Sequence, residues 1–305
     1  MNDIFILSKF LLKTISKKII PSILSSFGSF WLIIQLGAFF LGDESVLING
    51  IKELWYIFLI IGVLTAVGLT KPRLTFECKL INRDVSIAIA IGNLFKQKGS
   101  LIIGSNTTFD THISNELISG MSTQGQFTKL VYYGNETKLD NEISSELKDI
   151  QPEILLGNRI GKDKKYSIGT TVKLNQQNKN YYLVAIANIN EHGVASSTYD
   201  DFKYALACLW FFIGKKGLKE NIAIPIIGSG FSRLLQKREL IIKEIIRSFI
   251  AACSEATFCD KLTIVISPGD IERYNINIEE LEEFILYICK YTEFSNNSDK
   301  IGNQI

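Results

Sequence analysis

Histidine is nearly absent: the 305 residues include two, His112 and His192. That scarcity argues against a histidine-rich metal centre. The five cysteines, Cys78, Cys208, Cys253, Cys259 and Cys289, are odd in number and form no CxxC pair. Most sit in apolar runs, so reduced and buried thiols are expected rather than disulfides or a zinc site. An excess of one charge is missing too. Lys and Arg total 33 against 31 Asp and Glu, a net +2. Nothing global therefore points to nucleic acid as a partner.

Charge is wholly missing from two stretches. Residues 23–41, ILSSFGSFWLIIQLGAFFL, are 19 in a row without a charge. As a helix they cover roughly 28 Å, close to the hydrocarbon core of a bilayer. Residues 54–70, LWYIFLIIGVLTAVGLT, form a second such run of 17, roughly 26 Å long. The connection between them holds Asp43, Glu44 and Glu53 against Lys52. The pattern predicts a two-helix transmembrane hairpin; a buried soluble hairpin is the alternative. A cleaved leader fits poorly, because some twenty amphipathic residues come first and a second run follows. Lys9, Lys13, Lys17 and Lys18 precede the first run, and Lys71 and Arg73 follow the second. The positive-inside rule then puts both termini in the cytoplasm. Residues 3–20 read as a separate basic helix on anionic lipid, or as a frayed leader. Ser25 and Ser29, and Gly62 and Ala66, are small residues four apart, and Gln35 is polar in mid-span. Such positions allow close packing between hairpins, possible in a homo-oligomer and equally in a simple anchor.

The texture changes after residue 73. A membrane region of 1–73 and a cytoplasmic domain of 74–305 are expected. Strands are expected at 74–81, 85–91, 100–103, 128–133, 181–188, 222–227 and 262–266. Helices are expected at 139–147, 199–214, from Leu234 onward, and at 278–291. Interleaved strands and helices imply a three-layer α/β/α sheet, with ligands at the carboxyl ends of its strands.

The organising stretch is IAIPIIGSGFSRLLQKRELIIKEIIRSFIAAC, residues 222–253. It reads as a buried strand, a glycine loop at Gly228, Ser229 and Gly230, and an amphipathic helix. That order suits an anion, since helix N-termini offer free N–H groups. A tight βα turn explains the same glycines. Arg233 is a candidate phosphate partner or a solvated arginine. Asp110, Thr111 and His112 follow a second polar loop and are candidate pocket-wall residues. Phe109 and Phe231 can stack on a ligand or fill a core. His192 lacks a nucleophile partner, and Glu279–Glu283 is most simply a solvated helix face. No catalytic residues and no metal are expected.

Three segments carry a family resemblance. Ile89-Ala-Ile-Gly-Asn-Leu94 resembles the macro domain strand that ends in Gly-Asp-Ile. Leu101-Ile-Ile-Gly-Ser-Asn106 resembles the next strand and its asparagine-rich loop. Pro225-Ile-Ile-Gly-Ser-Gly230 is similar to the Pro-x-x-Gly-Thr-Gly phosphate loop. The resemblance implies a macro-like domain that binds an ADP-ribose derivative and needs no cofactor. It implies that Gly228, Ser229, Gly230 and Phe231, with Ser232 and Arg233, hold the diphosphate and its ribose. It places Asn93 at the adenine, and Ser105, Asn106, Thr107 and Asp110 around the distal ribose. Asn93 stands where the family has aspartate, and the asparagine-rich loop is shortened. These departures put hydrolysis in doubt and leave binding, so no enzyme is expected, with a tethered ADP-ribosyl hydrolase or a membrane scaffold as alternatives.

A hairpin followed by a divergent macro domain with GSGFSRL resembles the membrane-anchored macro domain effectors of bacterial Thoeris antiphage defence. That resemblance implies a TIR-domain partner protein that makes histidine-ADP-ribose. It also implies a multi-pass place in the bacterial inner membrane, contact with membrane lipids, and membrane disruption by an oligomer in abortive infection.

Overall fold

A computed structural model describes residues 2–42, 50, 53, 55–70, 73–81, 83–113, 117–156, 161–190, 194–228 and 234–292. The chain divides into two compact units, Met1–Leu74 and Thr75–Ile305.

The first unit is helical. Helix α1, Asn2–Leu41, has 40 residues and carries Pro21 inside it. Residues 3–20 are therefore not a separate helix. Proline forfeits one backbone hydrogen bond but keeps a helical φ, so the helix can run through it. Gly42 closes α1 with φ +85, its N–H bonding the Ala38 carbonyl at 2.9 Å, a left-handed glycine cap. Within α1, Ile19–Phe40 is long and apolar enough to cross a membrane, and among the described residues it is the one helix that meets that standard. Helix α2, Trp55–Thr70, has 16 residues and spans roughly 24 Å. The two helices lie in contact. Gly62 and Ala66 are buried positions of α2, whereas Ser25 and Ser29 on α1 are exposed.

The second unit is a three-layer sandwich. Its strands are β1 (Thr75–Lys79), β2 (Ser86–Ile91), β3 (Ser100–Asn106), β4 (Glu153–Ile154), β5 (Lys164–Lys165), β6 (Thr171–Gln176), β7 (Lys179–Ile189), β8 (Ala195–Ser196), β9 (Asn221–Pro225) and β10 (Lys261–Ile266). Its helices are α3 (Thr123–Val131), α4 (Glu136–Glu146), α5 (Tyr199–Lys216), α6 (Arg238–Glu255), α7 (Pro268–Tyr274) and α8 (Ile278–Tyr291). The main sheet runs β1-β2-β10-β9-β3-β7-β6, with β8 paired to β7. Strands β2, β10, β9, β3 and β7 are mutually parallel. Edge strands β1 and β6 are antiparallel to their neighbours.

Strand periodicity builds two cores. Ile102, Tyr182, Val184, Ile222 and Ile264 face one side, with Phe202 and Trp210 of α5 and Ile245 and Phe249 of α6. Leu101, Ile103, Tyr181, Leu183 and Ala223 face the other, with Phe127 of α3 and Leu139 of α4. Successive strand residues point to opposite faces, so a β-branched run buried on both sides is the mark of a covered parallel sheet.

Three sequence expectations shift. Residues 128–133 are not a strand: Phe127 and Val131 are four apart and share the core under α3, and Ser122 caps that helix by accepting from Gly125 N–H. Strand β3 runs on to Asn106, because parallel pairing with β7 continues through a register shift at Ser105/Asn106. Helix α6 begins at Arg238 rather than Leu234. Residues 267–270 open helix α7, with Ser267 as its cap.

Candidate functional site

Because five neighbouring strands are parallel, their carboxyl ends share one edge. Ligands in open α/β sheets gather at that edge. Three loops meet the eye there, each on its own strand.

The β2 tip carries Gly92 and Asn93. The Asn93 side chain accepts the Phe95 N–H at 2.8 Å and caps a short 3₁₀ turn, Leu94–Lys96.

The β9 tip turns sharply. Ile227 N–H bonds the Pro225 carbonyl at 2.7 Å. Gly228 follows with φ +78, and a Cβ there would stand 2.4 Å from Leu234 Cδ1. The positive φ favours glycine, whereas the leucine methyl could swing aside. Leu234 N–H bonds the Gly228 carbonyl at 3.3 Å, which ties together the two ends of the loop. Ser229, Gly230, Phe231, Ser232 and Arg233 lie outside the described residues, as does His192. Helix α6 starts ten positions after Gly228.

The β3 tip is an internally bonded knot. Asp110, fully buried, accepts from Asn106 Nδ2 at 3.0 Å, from the Thr108 hydroxyl, and from Lys162 N–H at 2.8 Å. Its own N–H donates back to Asn106 Oδ1 at 3.1 Å. Gln124 Nε2 donates to the Asp110 carbonyl at 2.6 Å. Lys162 Nζ spans the Phe109 carbonyl and Asp140 Oδ1, both at 2.6 Å. Thr111 donates to the same Asp140 oxygen. His112 Nδ1 lies 2.9 Å from Glu136 Oε2. A buried carboxylate survives only when its lone pairs are taken up in this way. Phe109 has φ +49 and is fully buried, an uncommon state for a bulky residue. Its ring meets Tyr166 edge-on at 5.9 Å, so Phe109 fills a core. The Ser105 and Thr107 hydroxyls are buried without a hydrogen-bond partner among the described residues. Such groups cost about 1–3 kcal/mol each.

Asn93, Asn106 and Gly228 thus stand at the tips of β2, β3 and β9. The Asn106 side chain is spent on Asp110 and Thr108, so it organises its loop. Sequence reasoning missed Lys162, Gln124 and Asp140. The one local signal was Gly161-Lys162, where Gly161 has φ +104 and a Cβ would meet Asp110 Oδ1 at 2.8 Å. Among the described residues no group of His, Cys, Asp and Glu could hold a metal.

A mixed sheet covered by helices on both faces, with glycine and asparagine loops at its carboxyl edge, defines a macro domain. Residues 87–267 match the family described as Thoeris protein ThsA, Macro domain, and the chain belongs to that family. It is 24% identical over 206 residues to the Thoeris protein ThsA of Bacillus amyloliquefaciens (strain Y2), covering 65% of this chain and 67% of that protein. Among solved structures it is similar to the Oceanobacillus iheyensis macrodomain with ADP: TM-score 0.48, 14% identity, 70% of this chain and 99% of that one. The same macrodomain with MES bound gives a TM-score of 0.47 at 15% identity, covering 70% and 100%.

Proposed function

We propose that this chain is an antiphage defence effector that senses an ADP-ribose-type signal through its macro domain and acts on the bacterial inner membrane through its helical unit. The observation that carries this reading is the placement of Asn93, Asn106 and Gly228 at the carboxyl tips of parallel strands of one sheet, β9 beside β3 and β2 on the far side of β10. Membership of the ThsA macro domain family supports it. The ligand in this reading is histidine-ADP-ribose supplied by a TIR-domain protein, and no cofactor takes part.

The domain binds and does not hydrolyse. Both Asp110 carboxylate oxygens are engaged within the loop, which leaves that group poorly placed to activate water. The buried Ser105 and Thr107 hydroxyls support a polar ligand at the β3 tip. The apolar segment Ile19–Phe40 supports insertion in lipid. Lys9, Lys13, Lys17 and Lys18 before it, and Lys71 and Arg73 after α2, favour cytoplasmic termini with both helices spanning. Ligand binding shifts the chain toward an oligomer that disrupts the membrane. That requires the ligand to bind the assembled form more tightly than the resting form.

Calorimetry on the full chain in lipid nanodiscs tests the reading. Heat with histidine-ADP-ribose is expected. Gly228→Ala should weaken it roughly fivefold or more, since holding alanine at that positive φ costs about 1 kcal/mol or more. Absence of binding to every ADP-ribose derivative overturns the sensor.

A further inference from the structure

Helix α5 buries one face and leaves the other bare. Phe202, Leu206, Leu209, Trp210 and Ile213 enter the core. Tyr204 and Phe211 are exposed at 60% and 64%, and Asp200, Ala207 and Lys215 are exposed with them. At 3.6 residues per turn these five positions fall on one outward stripe, roughly 22 Å long. Single exposed aromatic residues are ordinary on a soluble domain. Two on one stripe, closed by opposite charges at its ends, form a patterned surface.

The stripe reads acid, aromatic, small, aromatic, base, and its spacing is symmetric. Tyr204 stands four residues inside Asp200, Phe211 stands four inside Lys215, and Ala207 lies at the middle. Turned end for end, the helix presents the same series with its charges exchanged. It therefore complements an antiparallel copy of itself. Asp200 meets Lys215 of the second copy at both ends, and Tyr204 meets Phe211. The Ala207 side chain at the crossing is small enough for the axes to approach to about 8–10 Å. Within its own chain Asp200 pairs with Lys203 at 2.7 Å, and Lys215 Nζ lies 4.6 Å from the Phe211 ring centroid. Both contacts are exposed and weak, so exchanging them costs little.

We infer that the outward stripe of α5 is a docking surface for a second copy of this chain, packed antiparallel about a two-fold axis at Ala207. This gives the oligomer proposed above its first contact and rests on that reading for its setting in a membrane. A two-fold contact closes on itself, so α5 supplies dimers and a larger assembly needs a second surface. One helix pair covers less than the roughly 800 Å² per partner of a stable complex, so the contact is weak in dilute solution. Anchoring both chains in one bilayer supplies the missing concentration. A two-fold axis along the membrane normal leaves both chains facing the same way.

The test is cysteine cross-linking of the full chain in the membranes of expressing cells, with a short bismaleimide. Ala207→Cys puts a thiol beside the axis. The wild type, and Leu240→Cys at an exposed position of α6, measure chance encounters. Unfolding midpoints check the fold of every variant. Ala207→Cys should give about fivefold or more covalent dimer than either control. Adding Asp200→Lys sets like charges opposite one another at both ends and should cut the yield about fivefold. Adding Lys215→Asp as well restores opposite charges and should return the yield to within about twofold. That rescue marks a self-complementary antiparallel pair, since a contact with another surface would not regain its partners. A yield from Ala207→Cys no higher than from Leu240→Cys overturns the surface. So does a yield that Asp200→Lys leaves unmoved or that Lys215→Asp fails to restore. In each of those cases, with the chain still in the membrane fraction, the sensor stands. A wild type that leaves the membrane fraction removes the membrane reading and this surface together.

Discussion

The two units of the chain place apolar side chains in opposite directions. In the helical unit Trp31, Leu32, Leu36, Phe39 and Phe40 are exposed, Phe39 at 83%. In the sheet unit Trp210, Phe127, Phe202 and Phe249 are at most 1% exposed. A water-soluble domain scatters a few apolar residues on its surface and does not line a helix with them. The contrast is one of exposure: the sheet unit hides these large apolar side chains and the first helix presents its own. Removing water stabilises the sheet unit from within, whereas the helical unit leaves its apolar surface for lipid or protein to cover.

The sharpest way to break that contrast is the same truncation in each unit. Trp210 packs on Phe249 and Phe258 with ring centroids at 5.4 and 6.1 Å, and its indole N–H donates to Ser248 Oγ at 2.9 Å. Trp210→Ala should destabilise the sheet unit by about 3–5 kcal/mol, through lost burial and a cavity. Phe39→Ala should move the unfolding midpoint by no more than about 0.5 kcal/mol, since an exposed ring gives up few contacts. Denaturant titration in detergent reads both. A comparable loss for Phe39→Ala would mean that the helical unit has a core of its own.

Next in size is a charge on the outward face. Leu32 is exposed near the middle of Ile19–Phe40. Leu32→Arg should cost about 3 kcal/mol of membrane insertion on the biological scale. Fractionation of cells should show the variant leaving the membrane pellet while the wild type stays. A wild type recovered in the soluble fraction would sink the lipid reading.

Legibility differed between the units for physical reasons. The central strands were readable because YYLVAIAN and IAIP are apolar on both faces, which only a covered sheet requires. Helix α8 was readable from its alternation of acidic and apolar positions. The start of α6 was not. Leu234 and Leu235 continue the apolar spacing, yet Leu235 is 97% exposed, and Lys237 at the N-cap makes no side-chain capping bond. No capping residue marked the boundary. Residues 128–133 carry strand-like types, and packing of Phe127 and Val131 against the β3 face overrides that preference. At the site, glycine and asparagine at strand tips were visible in the sequence. The partners that fix them were not, because Lys162 meets Asp110 across 52 positions. The pairing of β4 with β5 involves two residues on each strand, too short to leave a pattern.

Alkali sharpens the comparison further. Every cysteine lies in the sheet unit, Cys78 being the first. Burial pushes the Cys253 thiol up to about 12 and the Cys289 thiol likewise to about 12. An unfolded thiol ionises near ~8.5. Between those values the folded chain holds protons that the unfolded chain releases, so stability is intact below the unfolded value and falls as pH rises toward 12. For Cys253 the loss at pH 10 should be roughly 2 kcal/mol. Urea midpoints at pH 8 and pH 10 measure it, and Cys253→Ala should flatten the slope. The contribution must come from the sheet unit alone, so a tryptophan signal from Trp31 and Trp55 that shifted as steeply as that of Trp210 would blur the division.

The smallest loss expected within the sheet unit concerns a helix end that faces water. Thr198 Oγ1 accepts the Asp201 N–H at 3.0 Å, and Asp201 Oδ2 accepts the Thr198 N–H at 3.3 Å. This reciprocal box opens α5, whose buried face carries Phe202, Leu206, Leu209 and Trp210. The bonds satisfy N–H groups that water would otherwise serve, so their loss is partly made good by solvent. Thr198→Ala should therefore cost about 1 kcal/mol, a shift of roughly 2–4 °C in the Tm of a unit this size. Calorimetric scanning resolves that shift. A loss as large as that of Trp210→Ala would mean the cap is shielded from solvent, and the sheet unit would then owe more to polar end-groups than to its apolar interior.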